Sequence, residues 1–199
     1  MQQDWTKDAD SPEDSPIFSW FGGDGRWEDG CVTTGPFAGW MVSTPNRHCL
    51  KRTFNREDFK GLYSTSEEIN EIIDSANSYH ELRTLFEREP HGGIHHSIGG
   101  DMDERWGSND PLFWIHHAYV DKVWWNWQRT HPTANEYNGR TIEGRSASLN
   151  DYLPRLGLPV SQVLEIQDLC YTYSQNDEEE QQDKEEDIEE ILDEVFEEE

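Results

Sequence analysis

The chain has 199 residues, enough for one domain with a sizeable core, and 33% of them are hydrophobic. Its 16 Lys and Arg residues against 42 Asp and Glu residues give a formal net charge of −26. Charge of that sign and size argues against a partner that is a nucleic acid or an anionic membrane surface. No apolar run is long enough to predict a membrane span. The N-terminus lacks the basic and apolar regions of a secretory signal, so the cellular location is left open.

Residues 1–65 are predicted to be a linker with few regular elements, because Ser-Pro, Gly-Gly and Gly-Pro pairs interrupt them. The three cysteines, Cys31, Cys49 and Cys170, are too widely spaced for a zinc motif. A Cys31–Cys49 disulfide and free buried thiols are alternatives of equal weight. His48 has no histidine at helical spacing, which favours a hydrogen-bonding role over metal ligation.

A helical pattern follows from Ser66 to Glu89, where apolar residues recur every three to four positions and Ser66 is a possible N-cap. We expect this helix to pack beside the histidine-rich stretch that comes next. That stretch, residues 91–127, holds five of the eight histidines. His91 and His95 are four residues apart, so in a helix both project from one face within reach of one ion.

A second helix is predicted to begin at Asp110, whose side chain can accept the free N–H groups at the N-cap, with Pro111 at the first helical position. His116 and His117 lie about two turns into it. Four tryptophans of the same stretch are predicted to be core aromatics that pack this helix: Trp114, Trp124, Trp125 and Trp127. Because neighbouring helical residues point about 100° apart, only one of the two can complete a site with the first pair. Three neutral imidazoles suit copper or zinc and leave a position open for water, oxygen or substrate. The alternative is a set of buried histidines that hydrogen-bond without metal.

Two runs, HGGIHHSIGGDM at 91–102 and NDPLFWIHHAYVD at 109–121, resemble the CuB copper-binding half of tyrosinases and catechol oxidases, relatives of molluscan hemocyanins. In that family the H-x-x-x-H pair and the second His of D-P-x-F-x-x-H-H hold the metal. The resemblance implies copper as the cofactor and His91, His95 and His117 as its ligands. It also implies a mainly α fold, part of a type-3 copper helical bundle with long irregular loops.

The resemblance suggests roles for residues beside the ligands. Glu87 resembles the carboxylate that orients a water near CuB, although an ordinary surface glutamate is the alternative. Gly92 stands where many tyrosinases have an Asn thought to help deprotonate a monophenol, so diphenols are the expected substrates. His96 and His116 could line the substrate rim or receive protons, but packing beside the ligands is the simpler role. Asp121 could fix an imidazole tautomer or cap a neighbouring segment.

The same family binds a second copper, CuA, through three further histidines. The chain begins at Met1, just before a DW pair that the resemblance places at the end of the CuA part. His48, His80 and His131 are isolated in the sequence and do not resemble a CuA set. We therefore expect the CuB half alone, with CuA supplied, where it exists, by another chain or segment.

The C-terminal segment, residues 131–175, is irregular and ends near Tyr171-Thr172-Tyr173, which resembles the Tyr-x-Tyr that closes the catalytic domain of polyphenol oxidases. With the helices at 66–130, it completes a predicted domain of residues 1–175. Residues 176–199 contain 15 acids and one lysine, a composition typical of a disordered tail. Apolar residues from Ile188 to Phe196 fall at helical spacing and would let the tail end dock as an amphipathic helix.

The functional hypothesis is a copper-binding oxidoreductase that oxidises o-diphenols to o-quinones with O2. Its partners would be a phenolic small molecule and O2. One alternative is a non-catalytic mononuclear metal-binding or structural remnant. Oxygen carriage in the manner of hemocyanin is another, and it needs both coppers.

Overall fold

The computed structural model describes residues 4–55, 63–131 and 137–173. It divides into two units, Met1–Val160 and Ser161–Glu199, and the histidine cluster belongs to the first. The predicted mainly α class is confirmed. The α-helices are α1 (Pro16–Phe21), α2 (Ser66–Ser75), α3 (Tyr79–Phe86), α4 (Gly92–Ile98) and α5 (Pro111–Thr130). A π-helical turn, Glu87–His91, joins α3 to α4.

The N-terminal segment has few regular elements, as predicted. Besides α1 it has 3-10 turns at Trp5–Asp8 and Pro12–Asp14 and a two-stranded antiparallel ribbon of β1 (Met41–Val42) and β2 (His48–Cys49). Cys31 and Cys49 form a disulfide, and Cys170 is free and exposed. The structure therefore selects the paired alternative for the cysteines.

The helix predicted from Ser66 to Glu89 is broken into α2, α3 and the π turn. Its N-cap is Thr65, one residue earlier than expected, because Thr65 forms a reciprocal capping box with Glu68. The break follows Ala76, which is fully buried. The indole N–H of Trp127 on α5 donates to the Ala76 carbonyl at 2.7 Å, so this carbonyl is satisfied by another helix.

The helix α5 begins as predicted, with Asp110 as N-cap and Pro111 in the first turn. Its buried face contributes Leu112, Tyr119, Val123 and Trp127 to a core that also takes in α2, α3 and α4. We expected Trp114 to be a core residue, and this is wrong: the side chain is 62% exposed and its indole N–H donates to the Ser108 carbonyl. Trp127 is fully buried, as predicted.

The remaining elements are short. Turns of 3-10 helix at Gly100–Asp103 and Gly107–Asn109 link α4 to α5. After α5 come β3 (Tyr152–Leu153) and β4 (Leu158–Pro159), which pair antiparallel, and a 3-10 turn at Val160–Gln162. The second unit has a 3-10 turn at Ile166–Leu169. In the described part of the chain, no helix combines the length and apolarity that crossing a membrane would need.

The division into a domain of residues 1–175 and a tail stays a prediction. Residues 176–199, with the apolar stripe expected to dock, lie outside the described residues.

Candidate metal centre

Two helices bring the predicted ligands together. His91 ends the π turn and His95 lies one turn later in α4, so both rings project from the same face. His117 lies on α5, opposite them. The ring centroids of His91 and His95 are 4.9 Å apart, and that of His117 is 5.2 Å from that of His91.

The Nδ1 atoms of these imidazoles face oxygen acceptors. His95 Nδ1 lies 2.7 Å from the Met102 carbonyl oxygen, and His117 Nδ1 lies 2.8 Å from the Phe113 carbonyl oxygen. Because a carbonyl can only accept, each Nδ1 must carry the proton. His91 Nδ1 faces Glu87, 3.7 Å from its carboxylate. Hydrogen bonds of this kind fix the tautomer of metal-binding histidines.

The unprotonated Nε2 atoms therefore point at one another. His91 Nε2 lies 3.2 Å from His95 Nε2 and 3.3 Å from His117 Nε2. Tetrahedral bonds of about 2.0–2.1 Å from imidazole nitrogens to one ion place the nitrogens roughly 3.3 Å apart. Lone pairs that face each other at this distance without a proton between them repel, and a cation removes the repulsion. The donor set fits a copper or zinc ion.

Burial keeps the cluster neutral. It lowers the pKa of His91, His95 and His117 below the ordinary histidine value, and the hydrogen bonds to carbonyl oxygens only partly oppose it. Neutral imidazole is the form that binds a metal. These residues are thus ready for a metal at neutral pH.

His116 is the fourth imidazole of the cluster. His91, His95 and His116 each offer a ligand atom within 4.8 Å of the others, so this trio could also hold a metal ion. However, His116 Nε2 lies 3.2 Å from the His91 carbonyl oxygen and must donate to it. The rings of His116 and His91 stack 5.3 Å apart. These contacts favour a role for His116 in holding His91, and the assignment of His117 as third ligand stays a prediction.

The side chain of His116 is fully buried, and its Nδ1 has no hydrogen-bond partner within the described ranges. Burial and the neighbouring imidazoles push its pKa well below the ordinary value. Full burial agrees with the packing role that the sequence favoured, and the choice between packing and metal binding stays a prediction.

A buried ion pair anchors the start of α5. Asp110 accepts from Leu112 N at 2.9 Å, as an N-cap should. The same carboxylate accepts hydrogen bonds from Arg52 Nε at 2.8 Å and from Arg52 Nη2 at 2.9 Å. Arg52 Nη1 also donates to the carbonyls of Phe21 and Gly22. Arg52 and Asp110 are fully buried. This pair fixes the position of the first turn of α5 and therefore the position of His117 on the same helix.

The acceptor for His95 lies on a loop. Gly99 ends α4 with a φ of 61°, and a Cβ there would lie 2.4 Å from the Thr53 carbonyl oxygen, so only glycine fits. The segment then runs beside residues 51–55, with Asp101 N donating to Lys51 O at 2.9 Å. Met102 follows, and its carbonyl oxygen accepts the hydrogen bond from His95 Nδ1.

A cleft of about 450 Å³ opens beside His91 and His117. Its wall is mainly apolar, formed by α3 and α5 with Leu82, Phe86, Val120, Val123 and Trp124, and Tyr79, Arg83, Glu87 and Asp121 add polar groups. This places Glu87, which is 61% exposed, at the site where it was predicted to act. The acceptor for His117 is the Phe113 carbonyl, so the tautomer role suggested for Asp121 is wrong for this ligand.

Gly92 follows His91 at the C-terminal end of the π turn, with an ordinary helical φ of −65°. A Cβ at this position would lie 3.2 Å from the Glu87 carbonyl oxygen, a close but adjustable contact. An Asn could stand here with small shifts. The roles predicted for Glu87 and Gly92 stay predictions.

The other histidines lie apart from the cluster. His48 bonds to Asp101, His96 pairs with exposed Asp103 at 3.1 Å, and His131 stacks on Trp127. His80 lies beside Gly139. The isolated positions expected for His48, His80 and His131 agree with these contacts.

Comparison with known proteins identifies the family to which the chain is similar. The model of the common central domain of tyrosinase matches residues 3–130. The chain is 36% identical over 198 residues to the tyrosinase ustQ of Aspergillus flavus, with 85% of this chain and 55% of the relative covered. It is 32% identical to the tyrosinase-like protein phomQ2 of Diaporthe leptostromiformis, with 85% and 51% covered.

A bacterial relative is similar to a shorter part of this chain. The tyrosinase of Streptomyces antibioticus is 34% identical over 147 residues, which are 66% of this chain and 54% of that protein. The chain thus spans about half the length of the curated relatives it matches. The chain belongs to the tyrosinase family, a family of copper oxidoreductases.

Proposed function

We propose that this chain is the CuB part of a copper oxidase that converts o-diphenols to o-quinones with O2. The observation that carries the proposal is the convergence of the Nε2 atoms of His91, His95 and His117 beside an open, largely apolar cleft. The resident copper would be held by His91, His95 and His117, and when bound it would supply the exchange of electrons between the phenol and O2. Overall, two diphenols and one O2 give two quinones and two waters.

The residues of the chain would bind and orient the ring. The apolar wall of the cleft suits a phenol, which keeps its hydroxyl groups toward the histidines. Glu87 stands 3.7 Å from His91 Nδ1 at the edge of this cleft, where its carboxylate would orient a water or receive a hydroxyl proton. Gly92 offers no side chain to assist it.

Two-copper chemistry needs a second histidine set. The histidines outside the cluster bond to Asp101, Asp103 and Trp127 or lie beside Gly139, so they do not supply it from the positions described. The proposal therefore includes a further segment or chain that brings CuA. Without it the chain would bind one copper per molecule and would oxidise catechol poorly.

Copper binding and oxygen uptake test these points together. The 199-residue chain should bind about one copper, and the double variant His91→Ala, His95→Ala should lose that site. Catechol-dependent oxygen uptake should be near background for the 199-residue chain and strong for a protein that also carries the CuA segment. Robust oxidation by the shorter chain would contradict the two-copper proposal.

The substrate preference is tested by Gly92→Asn in the two-copper protein. The wild type should oxidise catechol far faster than it hydroxylates a monophenol, because deprotonating the less acidic monophenol needs a base. The Asn variant should gain monophenol activity relative to diphenol activity. Rapid monophenol hydroxylation by the wild type would contradict the role given to Gly92.

The second candidate is a mononuclear metal-binding protein without oxidase activity. It is favoured by the cluster around His91, which is the group among the described residues that could hold a metal ion. A protein that carries the candidate CuA segment, still binds only one copper and fails to oxidise diphenols would support it.

A further inference from the structure

A second network of ionisable groups lies behind His95 and joins the N-terminal segment to the loop after α4. Its centre is Asp101, whose side chain is 2% exposed. Asp101 Oδ1 lies 2.9 Å from His48 Nε2 and accepts from Trp106 Nε1 at 2.9 Å, while Oδ2 accepts from Lys51 N at 2.9 Å. These contacts hold the Asp101 side chain from three sides.

Both ring nitrogens of His48 lie on oxygens that can only accept. Nδ1 lies 2.6 Å from the Asn46 carbonyl oxygen, and Nε2 faces the Asp101 carboxylate. Of the three protonation forms of histidine, only the imidazolium has two N–H donors. The geometry therefore requires a charged His48.

The charges around His48 agree with this form. The hydrogen bond to the Asn46 carbonyl and then that to Asp101 raise the pKa of His48 above its ordinary value, against the opposing effects of burial and of Lys51. Among the described residues, Asp101 on the loop and Lys51 on the neighbouring segment are the charged groups that act on it.

The network continues directly to the metal centre. Met102 follows Asp101 in the chain, and its carbonyl oxygen receives the His95 Nδ1 proton at 2.7 Å. The backbone N–H of Asp101 also donates to the Lys51 carbonyl oxygen at 2.9 Å. A shift of Asp101 would therefore move the atom that sets the tautomer and the ring direction of His95.

We propose that His48, as an imidazolium, is a positioning residue for His95: it holds Asp101 and thereby the Met102 carbonyl that aims His95 Nε2 at the metal. This rests on His95 being a metal ligand and does not depend on oxidase activity. Metal affinity should then respond to the charge of a residue that never touches the ion.

The first test uses the metal-free wild-type chain. Histidine side-chain NMR follows His48 and His95 while the pH is raised from about 6 to about 9, across and above the ordinary histidine pKa of about 6.5. His95 titrates at lower pH than His48, because burial lowers the pKa of His95 and hydrogen bonds raise that of His48. Its ring signals should nevertheless shift with the midpoint of His48. Signals of His95 that stay constant through the His48 titration would overturn the proposal.

The second test measures the affinity for Cu²⁺ alone, by chelator competition, at the two ends of that pH range. His48→Gln keeps a hydrogen-bond donor but removes the charge. Groups that touch a ligand directly alter affinity by about 10–100-fold, so at one step further we expect a loss of roughly threefold to tenfold at the lower pH. The loss should shrink above the His48 midpoint found by NMR, where wild-type His48 has also lost its charge.

Trp106→Phe is the matched control, because it removes a neutral donor from the same oxygen of Asp101. Its effect on Cu²⁺ affinity should be the same at both pH values. A His48→Gln effect that is equally large at both pH values, or absent at both, would overturn the proposal. Failure of the proposed oxidase activity would leave these results unchanged, so the two can be told apart.

Discussion

The two helices that carry the predicted metal ligands are held in different ways. The helix α5 has 20 residues and supplies the acceptor for His117 from its own backbone, the Phe113 carbonyl one turn earlier. The helix α4 has seven residues, and the acceptor for His95 is Met102, on the loop that follows it. His117 is therefore oriented by its own helix, while the orientation of His95 depends on how a loop packs against residues 51–55.

We therefore expect the α5 side of the site to be the more rigid and the α4 side to be the more adjustable. Helix α5 can shift only as a unit, since Arg52 fixes its start and Trp127 ties it to Ala76 near its end. The loop after α4 is held through Asp101 by contacts from three separate residues, His48, Lys51 and Trp106. We expect the α4 side of the site to respond to pH and to mutation at a distance more than the α5 side.

The largest effect is expected from Arg52→Ala, which leaves the buried Asp110 carboxylate unpaired at the start of α5. Removing one partner of a buried ion pair costs about 3–5 kcal/mol of unfolding free energy, to be measured by urea denaturation. Arg26→Ala, in the exposed pair with Asp29, is the control and should change stability little.

A double variant identifies the cause of that loss. Arg52→Met with Asp110→Asn removes both charges and keeps a good N-cap, so it should recover most of the stability. A double variant as unstable as Arg52→Ala would contradict the unpaired charge as the cause.

A smaller loss is expected on the α4 side from Gly99→Ala, because its Cβ would lie 2.4 Å from the Thr53 carbonyl oxygen. Gly39 has a similar positive φ of 71° but nothing within 4 Å, so Gly39→Ala isolates the backbone cost of about 1–2 kcal/mol. Gly99→Ala should destabilise more and should also weaken copper binding, by moving the Met102 carbonyl. Equal losses in the two variants, with copper affinity intact, would show that the loop does not position His95.

The smallest effect concerns pH and the metal-free protein. The pKa values of His91, His95, His116 and His117 are lowered in the folded state. The unfolded chain therefore binds more protons below about pH 6.5, and the stability that these groups contribute is lost as the pH falls through their folded pKa values. His48, whose pKa is raised, acts in the opposite direction: its contribution is present at low pH and lost as the pH rises.

The comparison of wild type with His116→Gln isolates the most buried of these histidines. The difference in unfolding free energy between the two, measured by urea denaturation at several pH values, should shrink as the pH falls below about 6.5. A difference that is independent of pH would mean that His116 is not kept neutral by burial.

Local signals predicted the parts of the site that local structure determines. The start of α5 at Asp110 and Pro111 and the shared face of His91 and His95 follow from capping chemistry and helix periodicity. The role of Arg52 could not be predicted, because it lies 58 positions from Asp110 and its burial is known only once the segments pack. The role of the Met102 carbonyl leaves no signal in the sequence, since every residue has a backbone carbonyl.

The failures have the same origin. The break after Ala76 depends on a hydrogen bond from Trp127, 51 positions away, whereas the apolar pattern runs across it without interruption. Trp114 was placed in the core by its residue type, but helix α5 turns it away from the core and its indole bonds to Ser108. The choice between paired and free cysteines also required the fold, which brings Cys31 beside Cys49.

The central claim is that His117, rather than His116, completes the metal site with His91 and His95, and copper affinity in two single variants tests it most directly. His117→Ala removes a ligand and should lower the affinity by more than about a hundredfold, beyond the effect of groups that only orient ligands. His116→Gln keeps a donor for the His91 carbonyl and should lower it by at most about tenfold. The reverse order, with His116→Gln abolishing binding and His117→Ala retaining it, would contradict this account.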